Sequence, residues 1–305
     1  NRNTNRLLEE SIMITTSEAF KKFKSRLELR EAEQKDASRL QKEIREHIGN
    51  NFSIKNDFLT GSYGRHTKTR PLKDVDIFFV LDKEKEKKYL TDPLLVLSDF
   101  KKCLAKKYGE SKVSIGRRSV GIDIALGTTD EDKVLSIDAV PAFEVSNYYQ
   151  IPDNVLIDWV KTDPEIHAEK ATQANKAFDG EWKPMVKMIK KWNETQGKPI
   201  KPSFLIEVMA MQILYPPFSG GYVYELKSFF ATAFDRIGET WNDPAGLGSP
   251  VSDQMDASKI TTARQKLSEI GKFIDQAILL EKQGNQGGAL RIWRDNIFGD
   301  MFPLS

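Results

Sequence analysis

The chain is poor in cysteine and has no long uninterrupted hydrophobic run. Its one cysteine, Cys103, can form neither an internal disulfide nor a cysteine-based zinc site. The longest apolar stretch, residues 204–218, is interrupted by Glu207 and by Pro216-Pro217, and it is too short to cross a bilayer. The polar start of the chain lacks a secretory hydrophobic segment. We therefore expect a soluble, cytoplasmic protein without a membrane partner.

An excess of charge of either sign is also absent. The 46 basic and 44 acidic residues leave a formal net charge of +2. Proteins that bind nucleic acid strongly carry a surplus of Lys and Arg, so this balance argues against a dedicated nucleic-acid binder. A small phosphorylated ligand needs only a few local cations and stays possible. With 39% hydrophobic residues over 305 positions, the chain can bury a sizeable core.

The residue pattern mixes helices and strands up to about residue 150, and beyond it the strand signals fade and helices are predicted. We place a lobe boundary near residue 155, so residues 1–155 form a mixed sheet lobe and residues 156–305 a helical lobe. The fold class is therefore α+β. Predicted helices lie at 17–48 (one or two), 91–107, 163 onward, 184–195, 203–215, 224–237 and 258–281. Predicted strands lie at 58–62, 76–81, 113–126 (one strand or a pair) and 134–140, the last two segments joined by a turn at 128–132 as a hairpin. In the helix at 91–107, the side chains expected to face inward are Leu94, Leu95, Leu97 and Phe100.

Two aspartates stand at the entry of a predicted buried strand. Asp74 and Asp76 are two residues apart, so their side chains point to the same side of the strand. Their Cα atoms then lie about 6.5–7 Å apart, which allows the pair to bracket two cations. Oxygen ligands without nearby His or Cys favour Mg²⁺ or Mn²⁺ over zinc.

Such a pair is informative only in its context. The chain has a second one, Asp130 and Asp132, in an evident turn where both are simply solvated. Asp76, in contrast, leads directly into the apolar run 77–81. Because a carboxylate pair at the end of a buried strand repels itself, it requires a raised pKa or a cation.

A third carboxylate has two candidates. Asp138 lies on an otherwise apolar strand, and Asp123 lies on the strand before it. We prefer Asp138, because the strand after the turn is better placed to lie beside the strand of Asp74 and Asp76. The alternative for Asp138 is a surface-facing residue of a half-buried strand.

Five further positions are candidates for phosphate binding. Gly61 lets the backbone approach a phosphate and Ser62 offers a hydroxyl, although an ordinary glycine turn with a serine N-cap fits as well. Lys187 and Lys190 share one face of a helix, which could equally be a solvated face. Ser203, after a proline, could contact a triphosphate or act as a plain N-cap.

With these residues in hand, the chain resembles the polymerase-β-like nucleotidyltransferases, and within them the bacterial cGAS/DncV-like nucleotidyltransferases (CD-NTases). The resemblance rests on several motifs and spans most of the chain. They are Gly61-Ser62, Arg70-Pro71-Leu72, Asp74-x-Asp76, Asp138 before Val140-Pro141, Lys190-x-Trp192, Ser203-Phe204 leading to Glu207, and the ending from Trp293 to Leu304. The N-terminal helix is similar to the spine helix of that family. A departure is His66-Thr67-Lys68, where smaller residues are expected.

The resemblance implies a polymerase-β-like core of mixed sheet and helices with a helical C-terminal lobe that closes a nucleotide cleft. It implies an enzyme that makes cyclic or linear oligonucleotide signals for bacterial antiphage defence, from ATP and other ribonucleoside triphosphates. Lys190 and Ser203 fall where the family contacts the donor triphosphate, and residues 116–119 resemble a segment near the nucleobases. Downstream, an effector would bind the product rather than the protein, and regulatory protein partners are possible.

The predicted site suggests a mechanism with two Mg²⁺ ions, for which Mn²⁺ could substitute. One ion, held by Asp74, Asp76 and Asp138, activates a ribose hydroxyl, and the second, held by Asp74 and Asp76, grips the triphosphate. Three alternatives stay open: an antibiotic nucleotidyltransferase, a template-free polymerase or linear oligonucleotide synthase, and an inactive nucleotide-binding scaffold. The long N-terminal helix and the Lys-x-Trp helix favour the synthase over the first, and the three carboxylates argue against the last.

Overall fold

The computed structural model describes residues 14–126 and 134–305. They form two compact units. The sheet unit comprises residues 29–170 and 244–248, and the helical unit comprises the described residues up to 28 together with 171–243 and 249–305. Among the helices in these ranges, none has the length and apolar character that crossing a membrane requires. The predicted turn at 128–132 lies outside the described residues.

The N-terminal helical prediction is confirmed as two helices, α1 (Thr16–Leu27) and α2 (Glu31–Gly49). A capping box starts α1: the Glu18 amide donates to Thr15 Oγ1 at 3.2 Å, and the Thr15 amide donates to the Glu18 carboxylate at 2.8 Å. Such reciprocal bonds satisfy amides that the first helical turn leaves without partners. The extended backbone of Glu28 ends α1. Helix α1 belongs to the helical unit and α2 to the sheet unit.

A mixed sheet forms the sheet unit. Its main strands are β1 (Ile54–Thr60), β2 (Asp74–Leu81), β3 (Val113–Ile115), β4 (Val120–Ala125) and β5 (Val134–Val145), in the spatial order β1-β2-β5-β4-β3. Strands β2 and β5 are parallel, and the other neighbouring pairs are antiparallel. The hairpin predicted from the sequence is the antiparallel pair of β4 and β5. A single helical turn, α3 (Gly61–Gly64), follows β1 directly.

Two further strands correct the prediction that strands end near residue 150. Strand β6 (Tyr148–Asp153) pairs with the second half of β5, and β7 (Asp158–Thr162) pairs with β6. The β7 sequence Asp-Trp-Val-Lys-Thr contains two charged residues in five, which weakens any apolar pattern. Hydrogen bonding to β6 stabilises it here in spite of its charged residues.

Helix α4 (Pro93–Tyr108) packs its apolar face into the core of the sheet unit. Val96, Phe100 and Leu104, spaced four apart, are buried and define that face. The prediction that Leu94 faces inward is wrong, because Leu94 is exposed. It lies two residues from Val96, about 200° around the helix at 3.6 residues per turn.

The helical unit contains the remaining helices. They are the second half of α5 (Pro164–Ala177), α6 (Trp182–Thr195), α7 (Ser203–Ile213), α8 (Tyr222–Arg236), α9 (Ala257–Lys282), α10 (Gln286–Arg291) and a π-helical segment, Ile292–Phe298. Those through α9 match the predicted helices, and the last two were not predicted. The segment between α8 and α9 contains a short 3₁₀ turn, Val251–Gln254. The core is rich in aromatic rings, for example Trp192 against Phe230 at 4.8 Å between ring centroids.

Candidate functional site

Strands β2 and β5 bring two of the predicted carboxylates together. Their parallel register places Asp76 beside Asp138 and Asp74 beside Ser136. Because β5 lies between β2 and β4, Asp138 is on the strand next to β2 and Asp123 is one strand further away. The hydroxyl of Ser136 donates a hydrogen bond to the Asp123 carboxylate. The preference for Asp138 over Asp123 depended on its strand lying beside β2, and β5 lies there in the structure.

Asp74 and Asp76 share one face of β2. They alternate with Val75 and Ile77, which are fully buried in the core of the sheet unit. The Asp74 side chain keeps 48% of its surface exposed. The two carboxylates therefore point away from the core, toward the side from which a solvated ligand can approach.

A lysine compensates the charge of Asp74. The ammonium of Lys68 forms an ion pair with the Asp74 carboxylate. Lys68 belongs to the segment in which the sequence departs from the family pattern, and the neighbouring Thr67 is fully buried with its amide donating to Ser62 O at 2.9 Å. The sequence predicted that this carboxylate pair requires a raised pKa or a cation, and in this structure an ammonium supplies a positive charge at Asp74.

The carboxylates fit Mg²⁺ or Mn²⁺ by the chemistry of their donor atoms. Asp74, Asp76 and Asp138 offer oxygen ligands from adjacent strand positions, as hard divalent cations require. Within residues 14–126 and 134–305, however, no three side chains of His, Cys, Asp or Glu are gathered closely enough to hold a metal ion. Metal binding by these three residues therefore stays a prediction.

Gly61 lies directly under the Asp76 carboxylate. Its φ is +62°, which favours glycine, and a Cβ added to Gly61 would overlap Asp76 Oδ2. Thr60, the last residue of β1, is paired with Asp76 in the sheet. The position thus requires glycine for two independent reasons, the positive φ and the lack of space for a side chain. The α3 turn therefore lies directly against the carboxylate.

The alternative of Ser62 as an N-cap is wrong, because Thr60 is the N-cap residue of the α3 turn. Ser62 instead accepts hydrogen bonds at its carbonyl oxygen from the amide and the hydroxyl of Thr67. These bonds tie the segment of Lys68 to the turn after Gly61. The phosphate-binding role of Ser62 stays a prediction.

Asp138 has a hydrogen-bond donor that the sequence did not identify. Ser119 Oγ donates to Asp138 Oδ1 at 2.8 Å. Ser119 closes a tight turn after β3, in which the Gly116 amide donates to the Ser119 carbonyl at 2.9 Å. The segment 116–119, which resembles a nucleobase-proximal segment of the family, therefore contacts a predicted metal ligand.

Asp153 anchors the same turn. Its fully buried carboxylate accepts hydrogen bonds from Arg117 Nε at 2.8 Å and Arg118 Nε at 2.9 Å. The amides of Val155 and Leu156 also donate to it, at 3.0 and 3.1 Å. Burial alone raises the pKa of Asp153, but these bonds, led by the one from Arg117, outweigh it and lower the pKa to about 2. Sequence analysis missed Asp153, because its arginine partners lie about 35 positions away and no local pattern links them.

The lysines of α6 are buried and paired, so their interpretation as a solvated face is wrong. Lys187 Nζ lies 2.6 Å from Glu28 Oε2, and Lys190 Nζ lies 2.7 Å from Glu207 Oε1. Glu28 is half-exposed, whereas Glu207 on α7 is fully buried. One turn earlier, burial and the nearby Lys187 lower the pKa of Lys183. Helix α6 thus presents three lysines on one face, all within the helical unit. Their binding of a triphosphate stays a prediction.

Ser203 is the first residue of α7, and its side chain is exposed. The interpretation of Ser203 as the N-cap is wrong, because Pro202 occupies that position. The hydroxyl is thus not engaged in capping its own helix. Its contact with a triphosphate stays a prediction.

Comparison with known proteins identifies relatives across the whole chain. Residues 13–175 match the Second Messenger Oligonucleotide or Dinucleotide Synthetase domain. A probable cyclic nucleotide synthase of Bacillus cereus strain VD146 is 30% identical over 80% of this chain and 81% of its own length. A cyclic AMP-AMP-AMP synthase of an Acinetobacter species is 27% identical over 96% of this chain and 87% of its own.

Solved structures show the same fold. CdnC of E. coli MS115-1, determined with ATP, has a TM-score of 0.69 at 16% identity, covering 95% of this chain and 99% of its own. The same protein in a complex with HORMA-deltaN gives the same score. The match over more than half of the sequence, the related synthase and the shared fold together show that this chain belongs to the Second Messenger Oligonucleotide or Dinucleotide Synthetase family, the bacterial cGAS/DncV-like nucleotidyltransferases.

Proposed function

We propose that this chain is a Mg²⁺-dependent synthase that condenses ribonucleoside triphosphates into a cyclic di- or trinucleotide and releases pyrophosphate. The main support is the register of β2 and β5, which sets Asp138 beside Asp76 on adjacent parallel strands. The Gly61 turn lies directly under the same carboxylate. A carboxylate pair on one strand and a third carboxylate beside it fit the family's reaction better than any other cluster in the described residues.

Asp74, Asp76 and Asp138 would hold the cations, two Mg²⁺ or Mn²⁺ ions. When bound, such ions polarise an attacking hydroxyl and neutralise phosphate charge. The Gly61 backbone, which lies against Asp76, would approach a phosphate, and Ser62 would offer a hydroxyl. In the helical unit, Lys187, Lys190 and Ser203 would bind the donor triphosphate.

The reaction joins two nucleotides by an in-line displacement. A ribose hydroxyl attacks the α-phosphorus, loses its proton, and forms a phosphodiester bond while the bond to pyrophosphate breaks. The groups of this chain contribute positioning and charge compensation, which supply most of the acceleration in phosphoryl transfer. Closure of a ring repeats the same chemistry, with the 5′-triphosphate of the linear intermediate as the donor.

A cyclic product agrees with two observations. The similar Bacillus and Acinetobacter proteins are named as cyclic nucleotide synthases. The near-zero net charge of this chain offers little attraction for a long polyanionic product. We further propose a role in bacterial antiphage signalling in the cytoplasm, with an effector that binds the product. A regulatory protein partner is consistent with the HORMA-deltaN complex of the similar CdnC.

The test uses the four ribonucleoside triphosphates labelled at the α-phosphate, Mg²⁺, and alkaline phosphatase after the reaction. A ring has no terminal phosphate, so phosphatase changes neither its label nor its mass, whereas a linear product loses its 5′ phosphates. Mass spectrometry then gives the bases and ring size. A ladder of linear oligomers whose terminal phosphates are removed would refute the cyclic product and leave the nucleotidyltransferase activity. Pyrophosphate release from ATP alone separates this activity from an antibiotic nucleotidyltransferase, which needs a drug acceptor.

A further inference from the structure

A series of hydrogen bonds connects a buried carboxylate to a predicted metal ligand within the sheet unit. Asp153 binds Arg117 and Arg118, these residues form the turn that ends at Ser119, and Ser119 binds Asp138. Two of these bonds are charge-assisted and 2.8–2.9 Å long, in the range of strong hydrogen bonds. The proposed reaction gives Asp153 no direct role, so its full burial needs another explanation.

The orientation of Asp138 is restricted at one oxygen by two neighbours. Ser119 Oγ donates to Oδ1 at 2.8 Å. Gly121 is paired with Asp138 across β4 and β5, and a Cβ added to Gly121 would lie 3.3 Å from the same Oδ1. The carboxylate therefore lies over a glycine and is fixed by a hydroxyl at that oxygen.

Hydrogen bonds also attach the turn that contains Ser119 to the end of β6. Besides the arginine bonds to Asp153, the Asn154 amide donates to Arg117 O at 2.8 Å and Asn154 Nδ2 donates to Gly116 O at 2.9 Å. Main-chain and side-chain bonds thus restrain both ends of the turn. A serine hydroxyl on such a turn has little freedom to leave its acceptor.

We propose that Ser119 is a positioning residue for Asp138, and that Asp153, with Arg117 and Arg118, keeps Ser119 in place. The inference rests on the proposed function, which assigns Asp138 to the metal. Groups that hydrogen-bond a metal-binding carboxylate fix its orientation, and their loss commonly weakens metal binding or activity about 10- to 100-fold. The bond to Oδ1 leaves Oδ2 for the metal.

The same two strands provide a matched control. Ser136 on β5 donates to Asp123 on β4, the same chemical pair two residues from Asp138. Asp123 is exposed, and the proposed site does not use its carboxylate. If a serine–aspartate bond matters only for the stability of the hairpin, removing either serine has a similar effect.

The experiment measures Mn²⁺ binding without nucleotide, from the electron paramagnetic resonance signal of free Mn²⁺, and pyrophosphate release as a function of Mg²⁺. Ser119→Ala is expected to weaken Mn²⁺ binding and raise the Mg²⁺ concentration for half-maximal rate by about 10- to 100-fold. Ser119→Thr, which keeps the hydroxyl, restores both. At saturating Mg²⁺, the KM for ATP of Ser119→Ala stays within about twofold of wild type, because ground-state binding of the nucleotide does not use the Ser119 hydroxyl.

The outcomes separate this proposal from the proposed function. Wild-type Mn²⁺ binding by Ser119→Ala, an equal loss in Ser136→Ala, or no restoration by Ser119→Thr would each overturn the positioning role. Asp138→Ala, measured beside them, tests the function itself. If Asp138→Ala binds Mn²⁺ and releases pyrophosphate like wild type, then the assignment of the metal site is wrong, whatever Ser119 does.

Discussion

One ion pair in each unit shows two opposite ways of compensating a charge. In the sheet unit, Asp74 is half-exposed and pairs with Lys68, whereas in the helical unit the fully buried Glu207 pairs with the buried Lys190. An exposed pair is worth little and exchanges partners readily, but removing one member of a buried pair leaves a charge without compensation. Asp74 is therefore the more accessible of the two carboxylates to another cation, whereas Lys190 has a structural role that any ligand must accommodate.

The largest expected effect tests the carboxylates. Asp138→Ala should lower the rate of pyrophosphate release by several orders of magnitude, because it removes a predicted metal ligand. Asp123→Ala is the matched control one strand away and should keep most of the rate. Steady-state assays with ATP and Mg²⁺ compare the two. The reverse pattern would move the third carboxylate to β4.

The second largest effect concerns the ion pair of Lys190 and Glu207 in the helical unit and is measured as a change in stability. Lys190→Met should lower the free energy of unfolding by about 3–5 kcal/mol, because the buried Glu207 loses the ammonium that compensates its charge. Lys187→Met should cost about 1 kcal/mol or less, since its partner Glu28 is half-exposed and can be solvated. Urea unfolding followed by circular dichroism measures both.

A double variant checks the reason for the loss. Lys190→Met with Glu207→Leu removes both charges and should recover much of the stability. Equal losses in the two single lysine variants would remove the distinction between a buried and an exposed pair. A loss that the double variant fails to recover would assign the effect to packing of the lysine side chain rather than to charge.

The same distinction explains what the sequence predicted. Local patterns predicted most helices and the strands of the sheet's centre, because apolar periodicity is visible within one segment, as in residues 76–81. They predicted Asp74, Asp76 and Asp138 as one group because the strand after the turn was expected to lie beside the strand of Asp74 and Asp76, and β5 does lie beside β2. The partners of these charges depend on contacts distant in sequence: Glu207 for Lys190 and Asp153 for Arg117. Strand β7 was missed for the same reason, since pairing with β6 stabilises it rather than its own pattern.

The third prediction concerns the loss of stability at low pH when Asp153 is protonated. Asp153 has its pKa lowered to about 2 from an ordinary 3.8, so its contribution to stability is complete above pH 3.8 and is lost as the pH falls through 2. The shift of nearly two pH units corresponds to about 2 kcal/mol. The free energy of unfolding, measured with urea, should therefore fall more steeply between pH 5 and 2 for wild type than for Asp153→Asn. The variant has no carboxyl group to protonate at this position. Parallel pH profiles for the two proteins would contradict this role of Asp153.

The smallest expected effect concerns Lys68, the ammonium at the exposed pair. A divalent cation at Asp74 must replace or displace this charge, so Lys68→Met should bind Mn²⁺ more tightly than wild type without nucleotide. Because Asp74 is half-exposed and screened by solvent and salt, we expect only about a three- to tenfold change. Lys55→Met is the control, since it removes an ammonium from another exposed pair of the sheet unit, that with Glu144. Titration of free Mn²⁺ by electron paramagnetic resonance at low and high salt measures the difference, which should shrink at high salt.

If Lys68→Met binds Mn²⁺ as Lys55→Met does, then Lys68 does not compete for Asp74. If it binds more weakly, then Lys68 supports the metal site, and the carboxylates of β2 depend on their lysine as closely as Glu207 depends on Lys190.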